Sequence, residues 1–183
     1  MTATTLDPRT ALIVVDLQKG IVGLPTAHPA AEIVERSATL AAAFRAKGLP
    51  VVLVNVTGGA PGRTEGQGGG QQPPADWADL VPELDARDED IRVTKNTWGA
   101  FYGTDLDSQL RRRGITQVVL TGIATSIGVE STARFAQEYG YNVTVVTDAV
   151  TDMSAEAHTN SVERVFPRLG ETDTTEAVLK LLG

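Results

Sequence analysis

The sequence predicts an α/β fold with three layers, α/β/α, around a mostly parallel, doubly wound sheet. Three observations predict it. Short, continuous apolar runs recur along the chain, as in strands buried on both faces. Segments of helical periodicity lie between those runs. Glycine or proline marks the ends of the periodic segments, so strand and helix alternate across what reads as a single domain spanning residues 1–183.

Taken in order, Ala11 to Asp16 is a β-branched run ending in a carboxylate and reads as the first strand. A helix is expected from about Ala30 to Lys47. Pro29 suits its first turn, Ile33, Ser37, Leu40, Ala41 and Phe44 share a face, and Gly48 stops it. Leu49 to Val56 is the second buried run. Gly58 to Pro74, rich in Gly, Gln and Pro, reads as a long polar loop of the kind that forms lids or binding loops. Trp77 to Leu84 reads as a short helix and Ile91 to Lys95 as a third strand.

Thr104, with Asp107 three residues on, has the pattern of a capping box. The helix it opens closes on Arg111, Arg112 and Arg113, where positive charge complements the dipole. Gln117 to Gly122 is the fourth strand, followed by a helix from about Ser126 to Tyr139. Asn142 to Asp148 is the fifth strand, and a helix from about Ser154 to Phe166 stops at Pro167. A short extended piece, Glu171 to Asp173, leads into a last helix ending at Leu182. In open parallel sheets ligands bind outside the carboxyl ends of the strands. That rule gathers Asp16, Thr57, Lys95, the loop after Gly122 and Asp148 on one rim.

Composition removes several function classes. A formal charge of −7 argues against nucleic acid as a partner, and the arginine run is already explained by a helix end. No stretch approaches the roughly twenty apolar residues of a membrane span, and residues 1–9 lack a signal-peptide pattern, so a cytoplasmic protein is expected. With no cysteine, the chain has no thiol nucleophile, disulfide or thiolate metal site.

On the rim, burial of Asp16 would raise its pKa and suit it to acid or base work, although a helix cap or ion-pair role fits the same residue. Lys95 precedes three of the nine aromatics, and with Trp98 and Phe101 it could wall a pocket for a planar or anionic molecule. Equally, Trp98 and Phe101 could anchor a loop to the core and leave Lys95 solvated. Backbone N–H groups of the turn Gly122 to Gly128 can hold an oxyanion, with Thr125 and Ser126 read as N-caps. A serine nucleophile at Ser126 or Ser131 would need a base, and no histidine is near in sequence. Of the two histidines, His28 and His158, the second reads as packing at a helix edge. No His-rich cluster suggests a protein-bound metal, and the Gly58–Gly70 run fits no nucleotide-binding fingerprint, so no cofactor is expected.

Several separated motifs, in order, resemble the isochorismatase-like hydrolase superfamily over nearly the whole chain. They are Val14-Val15-Asp16-Leu17-Gln18; Lys95 with Ala100-Phe101 and Gly103-Thr104-Asp105-Leu106; Gly122-Ile123-Ala124-Thr125; Val129-Glu130-Ser131-Thr132-Ala133-Arg134; Gly140-Tyr141; and Thr147-Asp148-Ala149. The resemblance implies the three-layer fold and, in most members, an amidase with catalytic aspartate, lysine and cysteine. Asp16 and Lys95 match the first two, and the cysteine position falls at Gly128. Glycine cannot attack a carbonyl, so the acyl-enzyme route is closed. True isochorismatases are similar in carrying glycine there, and they cleave an enol ether to pyruvate and a dihydroxy acid without a nucleophilic side chain. They carry an aromatic residue and a histidine where this chain has Ala124, Thr125 and Ser126, and the metal-binding aspartate and histidines of nicotinamidases have no counterparts here.

The resemblance also implies a non-proline cis peptide at Ile123–Ala124 and a homo-oligomer, a dimer or tetramer. The expected site thus comprises Asp16, Lys95 and Gly128, with Gln18, Trp98, Phe101, Ile123, Ala124, Thr125 and Ser126 contacting a small-molecule substrate. A non-catalytic ligand-binding homologue is the alternative reading.

Overall fold

A computed structural model describes residues 2–65 and 73–183; the centre of the long Gly58–Pro74 loop lies outside the described residues. The strands are β1 (Thr10–Val15), β2 (Val51–Val56), β3 (Ile91–Lys95), β4 (Gln117–Ile123), β5 (Asn142–Thr151) and β6 (Glu171–Asp173). The α-helices are α1 (Lys19–Val22), α2 (Ala30–Ala46), α3 (Leu106–Arg112), α4 (Glu130–Glu138), α5 (Ala155–Asn160), α6 (Phe166–Leu169) and α7 (Thr175–Leu182).

All six strands run parallel in the order β3-β2-β1-β4-β5-β6. Every residue of β1 and β4 is buried, which is why both carry consecutive apolar residues, Ala11 to Val15 and Val118 to Leu120, without alternation. Alternation survives in where they point. Ala11, Ile13 and Val15 join Leu106, Leu110, Ala133 and Phe166 in a core on one face of the sheet. Leu12 and Val14 join Ile33, Leu40, Phe44 and Val178 on the other. With helices over both cores, the three-layer α/β/α prediction holds.

Several element boundaries differ from the sequence reading. The Trp77–Leu84 segment holds only a 3-10 turn, Pro82–Leu84, because its backbone pairs with residues 17–20 instead. Helix α3 starts at Leu106, and the expected capping box is absent. Asp107 binds Arg111 and the Tyr141 hydroxyl, while Thr104 Oγ1 accepts from Leu106 N–H. The helix after β4 opens with a π turn, Thr125–Val129, before α4. The segment from Ser154 does not stop at Pro167. A second π turn, Ser161–Val165, feeds α6, whose first turn accommodates the proline because an N–H there has no intrahelical acceptor. No helix among the described residues is long and apolar enough to cross a membrane.

Candidate active site

The sheet order reverses direction between β1 and β4, and a crevice forms at such a switch point, beyond the carboxyl ends of the two strands. Asp16 is the first residue past β1, and Ala124, which opens the turn to Gly128, is the first past β4. Asp16 takes φ 54°, a left-handed conformation that aspartate tolerates better than most residues. Its backbone is fixed on both sides, since Asp16 N–H donates to Val54 O and Gln18 N–H donates to Asp16 O. Gly122 permits the approach of the two strand ends. Its φ is +122°, and a Cβ there would stand 2.0 Å from Val15 O.

Lys95 ends β3, whose burial alternates strictly; Ile91, Val93 and Lys95 therefore share the inward face. The ammonium is thus buried rather than solvated. Lys95 Nζ donates to Asp16 Oδ2 at 2.7 Å and to Thr97 O at 3.1 Å. The side chains of Lys95 and Asp16 are 1% and 7% exposed, so this is an ion pair inside the protein. Asp16 Oδ1 is buried, with no hydrogen-bond partner among the described residues. Burial pushes the Asp16 carboxyl up to about 6, and it outweighs Lys95, which pulls the value down.

Gly128 lies in the π turn directly over this pair. A Cβ on it would meet Val15 Cγ1 at 3.0 Å, Asp16 Oδ2 at 3.1 Å and Trp98 O at 3.5 Å. Thr132 ties it down, donating from Oγ1 to Gly128 O at 2.7 Å while accepting from Ala100 N–H at 3.1 Å. The Ile123–Ala124 peptide is cis. Trp98 is 64% exposed beside this cluster.

Other expected site residues have different roles. The Gln18 carboxamide is wholly buried and committed to backbone. It donates to Val56 O and Trp77 O and accepts from Val56 N–H, fastening the 74–81 segment to the rim, so it is not free to contact a substrate. Phe101 does not wall a pocket; it is core, stacked against Tyr141 with centroids 6.0 Å apart and edge-on to Tyr139 at 5.5 Å. Thr57 bonds Asn96, and Asp148 accepts from Thr175 N–H at the start of α7; neither joins Asp16.

Thr125 and Ser126 are not N-caps. The cap position is Ala124, and both hydroxyls reach across to the segment after β5. Thr125 Oγ1 shares a 2.9 Å hydrogen bond with His158 Nδ1, and Ser126 donates from both N–H and Oγ to Asp152 Oδ2. The turn therefore does have a histidine beside it, brought from 33 residues away. His158 is held below its usual pKa of 6.5 by burial and by His28, whose ring stands edge-on at 4.7 Å, against an opposing pull from Asp152. Sequence reading missed His158, Asp152 and Thr132. Only Thr132 left a local signal, its i+4 spacing from Gly128 on a helix.

The isochorismatase domain model matches residues 10–177. This chain belongs to the isochorismatase family. It is 47% identical over 179 residues, 94% of its own length and 93% of the other's, to the uncharacterised isochorismatase family protein YwoC of Bacillus subtilis. An isochorismatase family protein from Burkholderia thailandensis superposes with a TM-score of 0.93 at 46% identity, covering 97% of each chain. A ureidoacrylate amidohydrolase, RutB of Pseudomonas savastanoi, is 31% identical over 206 residues, 90% of this chain and 81% of that one. The isochorismatase family comprises hydrolases, and the fold here is that of its members.

Proposed function

We propose that this isochorismatase-family hydrolase cleaves a small enol-ether carboxylate, of the isochorismate type, without a covalent intermediate. The observation that carries the reading is the Asp16–Lys95 pair. Lys95 holds Oδ2, the oxygen that faces Gly128, at 2.7 Å and leaves Oδ1 buried and unpartnered among the described residues. In this reading Oδ1, which no group among the described residues holds, carries the proton, and a pKa of about 6 keeps it on the carboxyl in mildly acidic solution and within reach near neutrality.

In this mechanism Asp16 donates its proton to the terminal vinyl carbon. The C=C electron pair forms the new C–H bond, and the adjacent carbon becomes an oxocarbenium ion. Water adds there and returns one proton to Asp16. The hemiketal then collapses: its hydroxyl proton passes to the ether oxygen as the C–O bond breaks, releasing the alcohol and pyruvate. Lys95 has one N–H left after Asp16 and Thr97, enough to bind the substrate carboxylate. By the resemblance Gly128 falls where the family's amidases keep cysteine, and the lack of a side chain lets the turn pack closely on the acid, since an added Cβ would meet Val15 Cγ1 at 3.0 Å and Asp16 Oδ2 at 3.1 Å. Trp98, exposed and with its carbonyl oxygen beside Gly128, offers an apolar surface to a substrate in this reading.

A coupled lactate dehydrogenase assay with isochorismate tests the reading. Pyruvate release in the parent, with Asp16→Asn reduced at least about 100-fold, is the expected result. No pyruvate above background, or an unimpaired Asp16→Asn, overturns it.

The resemblance to the RutB amidohydrolase favours a second reading, a ligand-binding homologue of a cysteine amidase. A Cβ at Gly128 would sit 3.1 Å from Asp16 Oδ2, so a side chain there would lie against the acid once its neighbours gave by a few tenths of an ångström. Gain of hydrolysis of a ureido acid in Gly128→Cys, with no isochorismate turnover in the parent, would favour it.

A further inference from the structure

The turn that carries Gly128 is bracketed by one other stretch of chain. Three side-chain ties run from residues 152–161 to residues 125–130. Asp152 Oδ2 accepts from Ser126 N–H at 2.7 Å and from Ser126 Oγ at 2.8 Å. His158 Nδ1 meets Thr125 Oγ1 at 2.9 Å. Ser161 Oγ donates to Glu130 Oε2 at 2.6 Å. Asp152 is itself steadied, its Oδ1 accepting from Ser154 N–H at 3.1 Å and its carbonyl from Ala27 N–H at 2.8 Å.

The two stretches share a second feature. Each departs from α geometry through a five-residue π turn, Thr125–Val129 and Ser161–Val165, and these turns pack on one another. Single π turns inside helices concentrate at functional sites. Here the widened turn puts Gly128 over Asp16, with contact distances of 3.0–3.1 Å for any added Cβ. Thr125 is fully buried, so its hydroxyl has no route to a ligand and serves to hold the turn.

We propose that Asp152 and His158 are positioning residues: acting through Ser126 and Thr125, they set the placement of Gly128 over the Asp16–Lys95 pair. The inference rests on reading that pair as the working acid and its partner. Neither residue touches the reacting atoms. Thr132 anchors the far side of Gly128 to Ala100, so the turn is held between two clamps, and releasing the 152–161 clamp frees it to shift. Displacements of about 1 Å at a reacting centre cost on the order of 100-fold in rate, while ground-state binding tolerates them better.

The test uses Thr125→Val, Asp152→Asn, His158→Ala and His158→Asn, the last placing an amide nitrogen or oxygen near the former Nδ1. With isochorismate, the first three are expected to lower kcat by about ten-fold or more while KM moves less than about two-fold. His158→Asn should recover most of the loss. A readout that needs no substrate is iodoacetamide alkylation of a thiol introduced by Gly128→Cys, followed against pH. Thr125→Val, Asp152→Asn and His158→Ala should each move that profile, and His158→Asn should restore it. A lowered Tm with kcat and the alkylation profile both unchanged overturns the proposal and leaves a stability role only. If the parent releases no pyruvate, the enol-ether reading fails by itself. The alkylation profile then decides alone, a restored shift supporting the bracket and no shift overturning it. If Gly128→Cys does not fold, the amide resonance of Gly128 in the otherwise unsubstituted chain replaces it. Movement in His158→Ala reversed by His158→Asn supports the bracket, and an unmoved resonance overturns it.

Discussion

Asp16 has two oxygens in different circumstances, one gripped by Lys95 and one bare, and its chemistry follows from that division. Its carboxyl is raised from 3.8 to about 6. As a general acid it must be protonated, so the active fraction of free enzyme falls as pH rises through about 6. The proposed hydrolysis should therefore show a kcat/KM that declines about ten-fold per pH unit on the alkaline side; a profile flat from pH 5 to 8 would contradict it. Because Lys95 lowers the Asp16 pKa, Lys95→Met is expected to move the Asp16 titration to higher pH, read from the side-chain carboxyl 13C resonance. A move to lower pH would mean that the pair's electrostatics have been assigned the wrong sign. At this scale the sequence already singled out Asp16 and Lys95. It could not say whether Lys95 was solvated, because a lysine closing a short strand reads alike on either face; the inward alternation of β3 decided it.

The turn between β4 and α4 shows what can and cannot be read at the scale of an element. Its glycines were visible, and so was the helix that follows. The π geometry was not, since one inserted residue hardly disturbs an apolar period of 3.6. Thr125 and Ser126 read as caps in the sequence because Ser and Thr before a helix usually bond its N–H groups. Here Asp152 and His158, brought in by β5 and α5, claim them instead. Where the cap is local the sequence rule works. Ser154 accepts from Ala157 N–H and caps α5. Ser154→Ala is accordingly expected to cost about 1 kcal/mol by urea denaturation. No measurable loss would show that the tie of His158 to Thr125, not the cap, holds α5.

Across the whole molecule, the sheet order puts the two central strand ends side by side, and the loop after β3 sends its aromatic residues to different places. Trp98 stays at the rim, while Phe101, three residues later, enters the core beneath α3 and α4. Phe101→Ala should lower stability by about 3–5 kcal/mol through lost burial and a cavity, and leave KM unchanged in whatever fraction stays folded. A specific rise in KM with normal stability would return Phe101 to the substrate pocket.

By itself the sequence determined the alternation of strands and helices, the parallel sheet that such alternation requires, and the exclusion of thiol chemistry. Its motifs also carried the likeness to the isochorismatase family that the domain match then established. These are properties of composition and of periodicities repeated along the chain, and neighbouring residues suffice to specify them. Tertiary structure alone decided that Lys95 is buried on Asp16, that Gln18 is spent on backbone, and that His158 stands beside Thr125. Each of those depends on which strand lies next to which and on which face a side chain leaves. Those are long-range relations, joining residues 33 to 79 positions apart, and local pattern, which can put Lys95 on the face of Ile91 and Val93, does not say which partner each side chain meets.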